Sequence, residues 1–228
     1  VETLVLFIIP GACSFGSQVA LEWTKEAYKV GITTAEIRSS EAFRKINPTG
    51  KVGALKDGQN VIGENLAILL YLADKFQQND MCPNVGTQSR ARVYQWLSYL
   101  SSTLHPAFGQ ALFPDKFIGG DCATEFKKLA TQKLLAVLEY INRSFCTSGY
   151  LIENKPTIVD AQAYGLLRWG RGYKGSTPVI DLNKFPNIME FLKLMEDNQA
   201  VQNALAIETG QSVNLVNSKF AGYFNFGS

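Results

Sequence analysis

Leu4–Ile9 (LVLFII) is an unbroken apolar run rich in branched residues, closed by Pro10-Gly11. A run this short and this uniformly apolar reads as a strand buried on both faces. From Ser14 the period changes. Phe15, Val19, Trp23 and Ala27 recur every four residues with Ala20 alongside, which is one face of a helix. A buried strand that feeds straight into an amphipathic helix commits the start of the chain to an α/β layer. The alternation of Ile32, Thr34 and Glu36 with Thr33, Ala35 and Ile37 predicts a second strand, and Ser39 to Ile46 a short helix stopped by Asn47-Pro48 and the turn at Gly50. Val52–Leu55 and Asn60–Ile62 read as a hairpin around Asp57-Gly58. Leu66, Leu69, Leu70, Ala73 and Phe76 then form a helical stripe, with Asn65 the expected N-cap.

Beyond this α/β layer (residues 1–78) the strand pattern stops. Gln77–Gln88 is polar and carries Pro83 and Gly86, so 79–88 reads as a linker. Residues 89–208 show only helical spacing: Val93, Trp96, Leu97 and Leu100, then Leu134, Leu138 and Ile141, then two closing helices over Pro186–Met195 and Ala200–Ile207. Thr157-Ile-Val-Asp160 has the form of a capping box, with Asp at its last position. The tail, 209–228, is polar and Gly-containing but holds Phe220, Tyr223, Phe224 and Phe226; it is expected to dock on the surface or to remain disordered.

Composition narrows the function. The chain has 228 residues, enough for two small domains. Its 22 Lys+Arg against 20 Asp+Glu leave a net charge of +2, so no basic field points to nucleic acid or to an anionic membrane. The opening apolar run is too short for a membrane span, and no basic segment precedes it as in a signal peptide. The cysteines at 13, 82, 122 and 146 include no Cys-x-x-Cys pair, which excludes zinc-site spacing and suits a reducing, cytoplasmic setting. A single histidine, His105, excludes a multi-histidine metal site.

Three places can carry chemistry. Cys13 lies between the first strand and the first helix, where free backbone N–H groups and the helix dipole favour thiolate, so it reads as a reactive cysteine or as a small inert helix-start residue. The next helical position that would complete a Cys-x-x-Cys pair is Gly16, so any exchange would use an external thiol. Asn47–Val52 leads into an extended backbone at Val52 that can pair with a peptide, or simply turns the chain. Glu64-Asn65 opens a helix: its N–H groups suit a carboxylate and Glu64 an ammonium group, though Asn65 also serves as a plain cap. His105 and the aromatic residues Tyr94, Trp96, Tyr99, Trp169 and Tyr173 read first as packing residues.

These segments, taken in order, resemble the glutathione S-transferases, and among them the bacterial beta class. The resemblance is carried by LVLFIIPGACS, NPTGKVGAL, GENLAILLYLAD, LHPAFGQALF, KPTIVDAQAYGLLRWG and FPNIMEFLKLMEDNQAVQNAL, spanning roughly residues 4 to 208. It implies a thioredoxin-like α/β N-terminal domain, an all-α C-terminal domain and a homodimer. The implied activity is conjugation of glutathione, as co-substrate, to small electrophiles in detoxification, with Cys-dependent exchange on disulfide substrates as a possible addition; no nucleic-acid or membrane partner is implied. By position, Cys13 matches the cysteine facing the glutathione sulfur, Ser14 its hydroxyl neighbour and His105 the histidine that reaches toward the thiol. Val52 matches the residue whose backbone pairs with the cysteinyl moiety, and Glu64 and Asn65 the pair holding the γ-glutamyl end. Where the family carries a cis-proline after the valine, this chain has Gly53, for which a trans peptide is expected. That difference motivates the alternative reading, a non-catalytic binding or regulatory protein on the same scaffold. Arg38 stands where the family often supplies a lysine, and the tail has no counterpart.

Overall fold

The computed structural model describes residues 3–152 and 154–226. It clusters into two units, Val1–Cys82 with Glu196–Ser228, and Pro83–Met195. Strand β1 (Leu4–Ile8) is buried at every position, as its uniform apolarity requires. Helix α1 (Phe15–Thr24) follows and stops where Lys25 turns left-handed at φ 58°. Strand β2 (Tyr28–Ile32) pairs in parallel with β1, in a register running from Leu4 opposite Tyr28 to Ile8 opposite Ile32. The second strand therefore lies earlier than the alternation over 32–37 predicts. The Thr34 hydroxyl accepts from the Ile37 N–H at 3.3 Å and caps a short helix, α2 (Ala35–Ser39), at that place. Helix α3 (Glu41–Ile46) is capped in the same way by Ser40.

Strands β3 (Ala54–Asp57) and β4 (Asn60–Gly63) form the expected hairpin, with β3 antiparallel to β1 and Gly58 in the turn at φ 60°. Helix α4 (Asn65–Lys75) packs on α1 and buries Ile68, Leu69 and Leu72.

The second unit is helical: α5 (Gln88–Tyr99), α6 (His105–Leu112), α7 (Ala123–Asn142), α8 (Ile158–Leu167) and α9 (Pro186–Glu196). A π-helical turn, Leu100–Leu104, joins α5 to α6. Pro106 supplies its cause. It has no N–H to give the carbonyl four residues back, and its ring crowds that carbonyl, so the α-helical ladder relaxes just before it. The start of α8 is the capping box read from the sequence. Asp160 is wholly buried and accepts from the Thr157 N–H at 2.8 Å, the Thr157 hydroxyl at 2.9 Å and the Leu151 N–H at 3.0 Å. Asn142 ties the end of α7 to α9, accepting from the Ile188 N–H at 3.2 Å on its side chain and from the Asn187 amide at 2.7 Å on its carbonyl.

Helix α10 (Gln199–Glu208) and the tail return to the first unit. The helical block read over 89–208 thus gives up its last helix. The reason is packing: α10 lies on α1, where the buried Gln18 donates its amide to the Ala204 carbonyl at 3.0 Å. Of the two expectations for the tail, docking is the one met among its described residues. The tail forms β5 (Phe220–Tyr223), parallel to β2, and gives a sheet of order β4-β3-β1-β2-β5. Asn203 of α10 clamps the approach, donating to the Val216 carbonyl at 2.9 Å and accepting from the Val216 N–H at 3.2 Å. Glu22 accepts from the Ser218 hydroxyl at 2.6 Å and from Asn203 at 2.8 Å.

Candidate active site

Three segments of the first unit converge at one end of the sheet: the turn between β1 and α1, the loop before β3, and the start of α4. Cys13 sits in the first, half-buried, and Ser14 at the N-cap position of α1, 1% exposed. The Ser14 hydroxyl makes no capping bond, and its oxygen has no hydrogen-bond partner among the described residues. The Cys13 thiol bonds with the Asn65 side chain. Burial pushes that thiol above its ordinary pKa, and the negative charge of Glu64 adds to the rise. The Asn65 bond and the N–H groups of Cys13 and Ser14 oppose it without prevailing. This direction runs against the expectation that the helix start favours the Cys13 thiolate: burial outweighs the hydrogen bonds that would stabilise it.

The loop before β3 carries Val52, half-buried against a cluster that includes Val5, Phe7, Phe43 and Ala54. Val52 lies outside the strand, which begins at Ala54, and no loop hydrogen bond among the described residues uses its N–H or carbonyl. The Val52–Gly53 peptide is cis, not trans as expected. Residue 53 lies at the crossing of the three segments, and a Cβ there would meet Asn65 Oδ1 at 2.8 Å, Ile68 at 3.4 Å and Ser14 at 3.4 Å. Glycine is the residue that leaves Asn65 its place. Asn47 supports the loop, donating its amide to the Lys51 carbonyl at 2.8 Å. Arg38 is turned back onto Thr33, donating to its carbonyl at 3.3 Å.

At α4 the cap position belongs to Glu64, not Asn65. Glu64 is exposed, with φ 66°, and makes no side-chain capping bond. Asn65 is the first helical residue; its side chain faces the cysteine turn, where Oδ1 accepts from the Ser17 hydroxyl at 3.1 Å. Ser17, buried and one helical turn beyond Cys13, escaped the sequence reading although its spacing placed it on the same face.

His105 opens α6 in the second unit, directly after the π-helical turn, with its ring 5.4 Å from that of Trp169. Trp96 and Trp169 are packing residues at 5% and 6% exposure, whereas Tyr94 is exposed at 42%. The constellation that the first unit assembles by itself is therefore Cys13, Ser14, Val52, Glu64 and Asn65. Among the described residues no group of three or more His, Cys, Asp or Glu is placed to hold a metal ion, and no helix is long and apolar enough to cross a membrane.

Two family models match the chain, the glutathione S-transferase N-terminal domain over residues 14–80 and the C-terminal domain over 104–198. A glutathione S-transferase domain-containing protein of Dictyostelium discoideum is 30% identical over 78% of this chain and 69% of its own length. The chain belongs to the glutathione S-transferase family. Glutathione S-transferase GstA of Escherichia coli O157:H7 is 28% identical over 89% of this chain and 98% of its own. Two solved structures are each 29% identical and cover 90% of this chain and 98% of their own. One is a bacterial beta class glutathione S-transferase of Sphingomonas chungbukensis, at TM-score 0.77, and the other a sphingomonad glutathione S-transferase complexed with glutathione, at 0.78. The glutathione S-transferase fold, a mixed sheet with helices followed by a helical domain, is thus present, and the family's likeness to the bacterial beta class holds across both halves.

Proposed function

We propose that this chain conjugates glutathione to small electrophiles, with the sulfur of glutathione set beside Cys13 and Ser14. The chain is a glutathione transferase by family, with glutathione its co-substrate, and the bound glutathione of the sphingomonad structure supports that reading. One observation carries the assignment of the site. The Ser14 hydroxyl is buried and has no partner among the described residues, a costly state that a hydrogen bond to a ligand would relieve. A glutathione thiolate beside the start of α1 would accept its hydrogen. Val52 would pair its free N–H and carbonyl with the cysteinyl moiety, and Glu64 and Asn65 would take the γ-glutamyl end. The family pattern gives His105 a role toward the same thiol. In the reaction the glutathione thiol gives its proton to water, the sulfur lone pair bonds to the electrophilic atom, and the leaving group departs with its electron pair or, in an addition, the adduct takes a proton from water. The proposal includes a homodimer in a cytoplasmic, detoxifying setting, as the family resemblance implies.

Ser14→Ala tests this reading. Loss of a hydrogen bond to a charged sulfur is expected to lower kcat for conjugation of chlorodinitrobenzene about 10- to 100-fold. Thermal stability should hold or rise, because the exchange removes an unsatisfied buried oxygen. An unchanged kcat together with a lower Tm would make Ser14 structural and remove it from the site.

A further inference from the structure

Two connections run from the C-terminal segment to the elements that carry the site. The first is Glu208, the last residue of α10, 7% exposed. A carboxylate at a helix C-terminus faces the negative end of the dipole, and burial adds a desolvation cost. Its partner is the N–H of Gly11, which donates to the carboxylate from the turn that presents Cys13. Gly11 has φ 80°, a conformation that suits glycine. The same end of α10 is fastened to the tail, where the Tyr223 hydroxyl donates to the Ile207 carbonyl at 2.7 Å.

The second connection is aromatic. The Phe224 N–H donates to the Val30 carbonyl at 2.8 Å, which carries the tail over the face of the sheet. There Phe224 and Phe226 lie 5.3 and 5.7 Å from the Phe7 ring, and Phe226 lies 6.4 Å from Phe43. Val52 packs on this same cluster. Gly31 makes the room: a Cβ there would stand 2.4 Å from Phe7 and 3.4 Å from Phe226.

We propose that α10 and the tail form a clasp that holds the thiol site in its binding geometry, with Glu208 the positioning residue for the cysteine turn and Phe226 for the Val52 loop. The proposal rests on the reading of this site as that of glutathione. Neither residue is assigned a contact with the ligand. Both act by fixing in advance the two segments that must meet it, so that binding carries less ordering cost.

The test uses the full chain as parent, Glu208→Leu, Glu208→Gln and Phe226→Ala. Each is titrated calorimetrically with reduced glutathione and assayed with chlorodinitrobenzene, with Tm recorded. Glu208→Leu and Phe226→Ala are expected to raise the Kd and KM for glutathione about tenfold, while the KM for the electrophile stays within about twofold. Glu208→Gln keeps an oxygen for the Gly11 N–H and is expected within about threefold of the parent. Glutathione affinities within twofold of the parent in both weakened variants overturn the proposal even if Tm falls, since the clasp would then serve stability alone. Glu208→Gln as weak as Glu208→Leu overturns the positioning role of the hydrogen bond. If Glu208→Leu does not fold, Phe226→Ala decides. A parent that fails to bind glutathione overturns the site reading itself, a result visible before any variant is compared.

Discussion

Alanine at position 13 is expected to end thiol–disulfide exchange by this chain, a loss of at least about 10³-fold, while conjugation of chlorodinitrobenzene falls by no more than about tenfold. The two activities need different sulfurs. Conjugation uses the sulfur of glutathione. Exchange needs the Cys13 thiolate as the attacking group, and position 16 holds glycine where a resolving cysteine would stand. Burial, with the Glu64 charge, pushes the Cys13 thiol above its ordinary pKa. The exchange rate should therefore rise with pH above neutrality, as the thiolate fraction grows. Single-turnover reduction of a glutathione mixed disulfide measures both features. Undiminished exchange in Cys13→Ala removes this cysteine from the chemistry. A rate that does not rise with pH above neutrality would show a thiolate stabilised more strongly than burial permits.

The second large effect belongs to Asp160. In Asp160→Ala the N–H groups of Leu151 and Thr157 and the Thr157 hydroxyl lose their acceptor inside a buried region. At about 1–3 kcal/mol for each unsatisfied buried group, the loss should reach about 3 kcal/mol or more, read as a fall in the urea midpoint. Its pH dependence has an unusual sign. Burial raises the Asp160 carboxyl from 3.8 to about 6 despite those three bonds. The folded chain therefore holds a proton that the unfolded chain has released, across the window between about pH 4 and 6. This group's contribution is complete below about pH 4 and is lost as pH rises through about 6. A shift of about two units corresponds to about 3 kcal/mol across that window. The stability of Asp160→Asn, which cannot titrate, should lack the decline. Parallel pH profiles for parent and Asp160→Asn would refute the assignment.

What the sequence shows and what it hides divide along the range of the interactions. β1 and α1 are legible because the hydrophobic period switches within a few residues, and the Thr157–Asp160 box because all its parts lie within four positions. The positions later brought together as Cys13, Ser14, Val52, Glu64 and Asn65 are legible one by one, each at the end of a readable element. β2 is misplaced because Tyr28–Ile32 contains Lys29 and Gly31, neither a strand signal; Gly31 is there because Phe7 occupies the space of its side chain. β5 is hidden because the partner of Phe220 is Tyr28, almost the full length of the chain away. The same holds for α10, whose helical spacing is plain but whose packing on α1 leaves no local mark. The upward direction of the Cys13 pKa is hidden for a related reason. The helix start is visible in the sequence, but the desolvation that outweighs it comes from residues folded around the sulfur.

One site in the first unit is expected to take glutathione. The direct measurement is calorimetric titration of the reduced chain, residues 1–228, with reduced glutathione. One-to-one saturable binding, weakened in Asn65→Ala, is the expected result. No saturation at millimolar glutathione would contradict it, and would leave the buried Ser14 hydroxyl and the free Val52 backbone without the ligand assigned to them.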